Sequence, residues 1–293
     1  MRVLPYLAYR TLTPFWEIAE TDTHVYAALR DNLDSVKLLR GYYAGSKVRF
    51  KNFWTAEALL FRYQTRFEDR EVGDGTALER PTSSGVDLTL STDPRRQIAA
   101  TISTENVVYK QGQAFTLDST VTYQPLPQLE LQLEPQVTTT SGEQRYVSGT
   151  AMDGKYLFGA LRARSVGATL RTSYAFTNRL TLQLYGQLLL TAKHYSDFQS
   201  FSVDPSAPRP AIQIDELTPT AAPAASPDVA ETDLNLNAVL RWEFRPGSTL
   251  FLVYSRFQTP EQELDGEGKL DFAALRHVQA SDAIRLKLSY YWN

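Results

Sequence analysis

Hydrophobic and polar positions alternate with a period of two along most of the chain. In the last segment Ile284, Leu286, Leu288, Tyr290 and Trp292 share one phase, and Ala283, Arg285, Lys287, Ser289 and Tyr291 the other. Successive side chains of a strand point to opposite faces, so this reads as a strand with one apolar and one mostly polar face. Residues 234–245 repeat it, with Leu234, Leu236, Ala238, Leu240, Trp242 and Phe244 against Asn235, Asn237, Arg241, Glu243 and Arg245. Residues 179–190 set Leu180, Leu182, Leu184, Leu188 and Leu190 against Thr181, Gln183, Tyr185 and Gln187. Shorter echoes are Val86/Leu88/Leu90, Phe115/Leu117/Val121/Tyr123, Leu129/Leu131/Leu133 and Val166/Ala168/Leu170/Tyr174. One short helix is expected within Leu270–Ala280; the rest predicts an all-β chain. About fifteen strands are expected, at 3–12, 15–30, 35–44, 48–63, 84–92, 97–105, 115–123, 129–138, 144–151, 155–162, 165–175, 180–191, 233–245, 249–257 and 283–292.

The connections choose among all-β architectures. Asp93-Pro94-Arg95-Arg96, Gln124-Pro125-Leu126-Pro127, Thr177-Asn178 and Arg245-Pro246-Gly247-Ser248 carry tight-turn chemistry. Segments 64–83, 106–114, 192–232 and 258–282 read as long polar loops. Counted back from the C-terminus, the tight turns fall at one end of the sheet and the long loops at the other. That sorting predicts a transmembrane up-and-down antiparallel β-barrel of about 16 strands, with short periplasmic turns and long extracellular loops. Aromatics near strand ends are expected at the membrane interface: Trp16, Trp54, Tyr174, Phe176, Trp242, Phe244, Tyr290 and Trp292. If the apolar phase meets lipid, Arg171, Gln183, Gln187, Asn235, Asn237, Arg241, Glu243, Arg285 and Lys287 face a lumen.

Composition narrows the chemistry. With no Cys, disulfides, thiol catalysis and thiolate metal sites are excluded. A net charge of −3 gives no electrostatic reason to expect nucleic acid. His24, His194 and His277 lie far apart in sequence, and no apolar run approaches the ~20 residues of a spanning helix. The chain is read as one domain over 1–293, with the weakest pattern in 1–47 and a Pro/Ala-rich loop at 192–232. An odd strand count and a start almost directly in a strand, without a signal-length apolar stretch, lead to the expectation of a C-terminal part of a longer protein.

Several runs carry a resemblance. They are Lys155–Leu161, Leu170–Thr177, Leu180–Gln187, His194–Phe198, Val239–Val253, Arg285–Trp292 and Phe50–Trp54. Over roughly residues 48–293 the chain resembles the barrel region of the bacterial outer-membrane family catalogued as domain of unknown function 5916. The resemblance implies a barrel fold and an outer-membrane location, with no established activity. It also implies outer-membrane lipid and the barrel assembly machinery as partners, and a glycan bound through an upstream carbohydrate-binding module that this sequence lacks.

Catalytic candidates are few. The acidic loops Phe67–Gly75 and Glu261–Gly268 offer hard oxygen ligands but lack the spacing of the ~12-residue EF-hand loop. His194, Ser196 and Asp197 are the residue types of a hydrolytic triad without a nucleophile motif around them. No cofactor or metal is expected, nor is catalysis. The expected role is a pore, or a membrane anchor, tied to glycan binding or uptake. The alternatives are a barrel-embedded hydrolase of lipid or polysaccharide, and a soluble all-β binding protein.

Overall fold

The computed structural model describes residues 2–150, 153–204, 206, 211–259, 261–263, 270, 273–276 and 278–292. In chain order the strands are β1 (Arg2–Val3), β2 (Tyr6–Thr11), β3 (Ile18–Asp31), β4 (Lys37–Phe50), β5 (Thr55–Tyr63), β6 (Arg66–Glu68), β7 (Ala77–Arg80), β8 (Ser83–Ser91), β9 (Ile98–Tyr109) and β10 (Gly112–Leu126). They continue as β11 (Leu129–Thr150), β12 (Lys155–Thr177), β13 (Leu180–Ser202), β14 (Ala211–Ile212), β15 (Thr218–Pro219), β16 (Val229–Arg245), β17 (Ser248–Gln258), β18 (Glu261–Glu263) and β19 (Ser281–Ser289).

Sixteen of them form one antiparallel sheet, with the path β1-β3-β4-β5-β8-β9-β10-β11-β12-β13-β16-β17-β19. β2 continues β1 along the same edge of β3, and the short β15 and β18 pair with β13 and β16. Almost every long strand pairs with its neighbour in the chain, the meander that period-two segments joined by turns produce. Among the described residues no ladder joins β1 or β2 to β19. The sheet therefore has two free edges, where the sequence reading expected a closed barrel.

The connections sort by end. Segments 12–17, 51–54, 92–97, 127–128, 178–179 and 246–247 lie at one end, and 32–36, 64–82, 110–111, 151–154, 203–228 and 259–280 at the other. The first set is tight. Thr177 Oγ1 accepts from the N–H groups of Arg179 and Leu180, at 3.2 and 3.1 Å. Asn52 Oδ1 accepts from Trp54 N–H at 3.1 Å, and Phe53 sits at φ +68.

The structure corrects several boundaries. The expected strands 35–44 and 48–63 are β4 and β5, with the turn at Lys51–Trp54 inside the second. The apolar phase of Val48 and Phe50 resumes at Trp54, Ala56 and Ala58, so only Lys51-Asn52 marks the turn. The expected pairs 129–138 with 144–151, and 155–162 with 165–175, are the single strands β11 and β12. Bulges at Ser141/Glu143 and Tyr146/Ser148 absorb the irregular pattern without ending the pairing. The expected long loop 106–114 is a two-residue turn, Lys110-Gln111, and residues 192–202 extend β13. Those stretches mix polar and apolar residues on both phases, which hides the strands in them. Within the expected helix Leu270–Ala280 the described part is a 3-10 turn, Ala273–Arg276. His277, Pro205 and Leu264–Gly268 lie outside the described residues.

The buried core sits at the long-loop end, where β11, β12 and β13 run past their neighbours. Segments 64–82 and 211–228 fold onto that overhang and contribute a small sheet, β14-β7-β6. Leu78, Ile212 and Leu217 pack there with Tyr156 and Phe158 of β12. The Tyr156 hydroxyl bonds Thr76 Oγ1 at 2.8 Å and donates to Asp74 Oδ2 at 2.7 Å, tying loop to strand.

Candidate functional site

Register builds two chemically distinct faces. Leu129, Tyr174, Leu182, Leu240, Leu252 and Leu286 stand in one row across β11, β12, β13, β16, β17 and β19. In the other half Leu7, Val25, Ala44, Leu60, Val86, Asn106, Phe115 and Thr139 lead in register from β2 to β11, in phase with Leu129. Every long strand leaves a large apolar side chain of this face exposed, among them Leu7, Val25, Leu60, Leu88, Ile102, Val121, Leu133, Leu170, Leu184 and Leu286. Of the exposed large apolar residues in these strands, only Tyr6 and Phe257 stand on the opposite face. Among the described residues, arginine and carboxylate side chains enter the apolar face toward its two ends: Arg40, Arg62, Arg164, Arg256 and Asp282 on the long-loop side, and Arg245, over the Tyr290 ring, beside the tight turns.

The other face carries the polar residues singled out in the sequence. One row holds Arg171, Tyr185, Asn237, Ser255 and Ala283; the next holds Gln183, Val239, Val253 and Arg285. Gln187 pairs with Asn235, and Arg241 leads through Phe251 to Lys287. Contacts knit part of this surface. Arg171 lies 3.4 Å from Glu134 and over the Tyr185 ring, whose hydroxyl donates to Gln187 at 2.9 Å. Arg241 pairs with Glu243 at 3.4 Å, and Ser255 donates to Asn237 at 2.7 Å. Gln183, Asn235, Arg285 and Lys287 share the face without a side-chain hydrogen bond or ion pair among the described residues.

The eight aromatics singled out gather at the tight-turn end. Trp16 and Trp54 lie in segments 12–17 and 51–54. Tyr174/Phe176, Trp242/Phe244 and Tyr290/Trp292 form three edge-on ring pairs beside the turns, with centroids 4.6, 5.9 and 5.1 Å apart. Tyr290 also accepts from Arg245 at 2.6 Å.

Sequence reasoning missed an aromatic ladder on the polar face. Tyr6, His24, Tyr26, Tyr43, Phe61 and Tyr63 contact one another across β2, β3, β4 and β5, closest at Tyr26/Tyr43, which stack at 4.3 Å. Glycines make room for it. A Cβ on Gly85 would lie 2.3 Å from the Phe61 ring, and one on Gly41 within 2.8 Å of the Tyr43 ring. The available signal was aromatics in the polar phase with Gly on a neighbouring strand.

A charged layer lies at the long-loop end, unseen in the sequence because Phe67–Gly75 reads as an acidic loop by itself, while its partners Arg80, Glu143 and Arg145 come from other segments. Buried Arg80 pairs with Glu71 and, at 3.4 Å, with Glu143, and donates to the Gln144 carbonyl at 3.0 Å. Burial pulls its guanidinium down to about 10 while Glu143 pushes it back up. Arg145 bridges Glu71 and Glu143 at 2.9 and 3.3 Å. At the tight-turn end, side-chain hydrogen bonds from Arg95 hold the Asp93 carboxyl down to about 2.

The triad residue types do not assemble. His194 Nδ1 meets Asp228 Oδ2 at 2.5 Å, while Ser196 Oγ turns to Asp197 at 3.5 Å. Among the described residues no hydroxyl bonds to His194, and no group of three or more His, Cys, Asp or Glu is arranged to hold a metal.

A family model described as "Domain of unknown function (DUF5916)" matches residues 2–293. The chain belongs to this family. No curated protein matches this DUF5916 chain. Among solved structures it is similar to one described as "NanC porin structure in rhombohedral crystal form", at 11% identity and TM-score 0.29. That match covers 86% of this chain and 94% of the other.

Proposed function

We propose that this sheet is the wall of an outer-membrane β-barrel pore, with its apolar face against lipid and its polar face along an aqueous path. One observation carries the reading: every long strand exposes large apolar side chains on the same face, and arginine and carboxylate groups enter that face only toward its ends. In water an apolar surface spanning thirteen strands far exceeds the few hundred Å² that monomers expose. In hydrocarbon it is the ordinary outer surface of a barrel, provided the backbone groups are paired in ladders. Closure of the two edges belongs to the proposal, because an unpaired backbone group in lipid costs several kcal/mol.

The ends fit the same reading. Tight turns flanked by paired aromatics suit a periplasmic interface, and the overhang with its folded loops suits the extracellular side. The partners that follow are outer-membrane lipid and the barrel assembly machinery. On the polar face, mixed charges in register suit a path for polar solutes, with lumen side chains setting selectivity. Glycan uptake through an upstream module remains part of the proposal as a role.

The test is reconstitution of the full chain from denaturant into detergent and then planar lipid bilayers. The expected result is heat-modifiable gel mobility and discrete conductance steps. A monodisperse native fold in plain buffer would overturn the membrane reading. Folding in lipid without conductance would overturn the pore.

A further inference from the structure

Where the overhang of β11 meets the β9–β10 turn and the small sheet, a cavity of about 500 Å³ opens at the long-loop end. Its walls come from five separate parts of the chain: segment 64–82 with Glu79 and Pro81, Tyr109 to Gln111, Gly142 to Gln144, Gln199 of β13, and Gln213 with the 3-10 turn Ile214–Glu216 that it caps. Gln144 is only 7% exposed, and its side-chain Oε1 is buried without a hydrogen-bond partner. Gln199 lines the same cavity, and its Oε1 is likewise buried and unpartnered. A buried acceptor left unsatisfied costs about 1–3 kcal/mol. Two of them on one cavity point to a group that enters from outside and supplies hydrogen bonds.

We propose that this cavity is a binding site for a neutral polyhydroxylated ligand of short-sugar size. The wall chemistry selects that class. Four of the lining residues are amides, Gln111, Gln144, Gln199 and Gln213, and an amide side chain both donates and accepts. A hydroxyl is the ligand group that answers both roles with one atom. Concentrated charge for an ion is lacking. Glu143 is engaged by Arg80 and Arg145, and Glu79 accepts the Ile214 N–H at 2.8 Å. Asp215 and Lys110 carry opposite signs. Tyr109, Pro81 and Ile214 supply apolar surface for the C–H faces of a sugar ring. The volume lies within the ~300–1,000 Å³ of ordinary ligand pockets.

The site deepens the pore reading by naming a solute class at its mouth, yet it is built from loop-end elements that do not touch lipid. Its test is therefore separate. Titration calorimetry on the detergent-folded full chain uses a panel of neutral mono- and disaccharides, with glucuronate and glucosamine as anionic and cationic controls of similar size. Saturable binding of at least one neutral sugar is expected, stronger than either control. Gln144→Leu should weaken it about tenfold, the scale of one buried ligand hydrogen bond. Gln199→Leu, on a different strand, should weaken it too and covers the case in which Gln144→Leu fails to fold. Absence of saturable binding across the panel, preference for a charged control, or unchanged affinity in the folded variants overturns the proposal. Heat-modifiable folding and conductance, measured on the same preparation, report on the pore reading independently.

Discussion

Adjacent residues on β13 meet opposite surroundings. Leu184 stands on the apolar face in register with Thr172 and Ala238, and Gln183 on the polar face in register with Ser173 and Val239. If the apolar face meets hydrocarbon, Leu184→Arg destabilises the lipid-folded state by about 2–4 kcal/mol, while Gln183→Leu changes it by less than about 1 kcal/mol. Urea titration of refolding into vesicles reads the difference, and equal tolerance of both changes would remove the lipid from the account. A second residue-scale effect sits in a turn. Asp93 accepts from Arg95 through both backbone and side chain, and its carboxyl is pulled from 3.8 to about 2. A folded-state value below the unfolded one stabilises the fold above the unfolded value, and that contribution is lost as pH falls through the folded one. The melting temperature is therefore expected to fall between about pH 4 and about pH 2 more steeply in the native chain than in Asp93→Asn, as read by circular dichroism. Among site residues, those with a period-two partner in the same strand were legible: Arg171, Gln183 and Gln187 follow from phase alone. Gln144 and Arg80 were not, because their environment is made by chain folding over them from distant segments.

Elements differ in how openly the sequence announced them. β16 and β19 read cleanly because, from Leu234 to Phe244 and from Ala283 to Ser289, each has one apolar and one mostly polar phase. β12 did not: it runs for 23 residues, about twice a bilayer crossing, and changes surroundings part-way. From Val166 to Tyr174 it follows the alternation; from Tyr156 to Phe158 it packs against the small sheet, so its pattern changes while its pairing continues. β8 and β5 show a packing constraint that alternation cannot express. Gly85 lies in register with Phe61, and an added Cβ would also come within 2.6 Å of the Asn106 carbonyl. Gly85→Val is expected to destabilise the fold by about 1–3 kcal/mol, as overpacking does. Near-ultraviolet circular dichroism should show a change in the tyrosine signal, since Phe61 adjoins Tyr43 and Tyr63.

For the whole molecule, the sorting of turns and loops was the part most legible from the chain. The three longest connections, 64–82, 203–228 and 259–280, all fall at one end, and that holds although 110–111 at the same end is a two-residue turn where a loop was expected. Merging four expected strands into two changes the count by an even number, so the sorting past that point is untouched. What alternation does not reveal is whether a sheet closes, since closing adds no new pattern to any strand. The edges themselves speak to that. With thirteen strands on the path, β2 and β19 both run from the long-loop end toward the tight-turn end. Zipped directly to each other they would make a parallel seam, with slanted and slightly weaker hydrogen bonds, in a sheet whose every other ladder is antiparallel. An antiparallel seam requires a further pass of opposite polarity between them, so the direction of two edge strands turns the question of closure into one of odd against even.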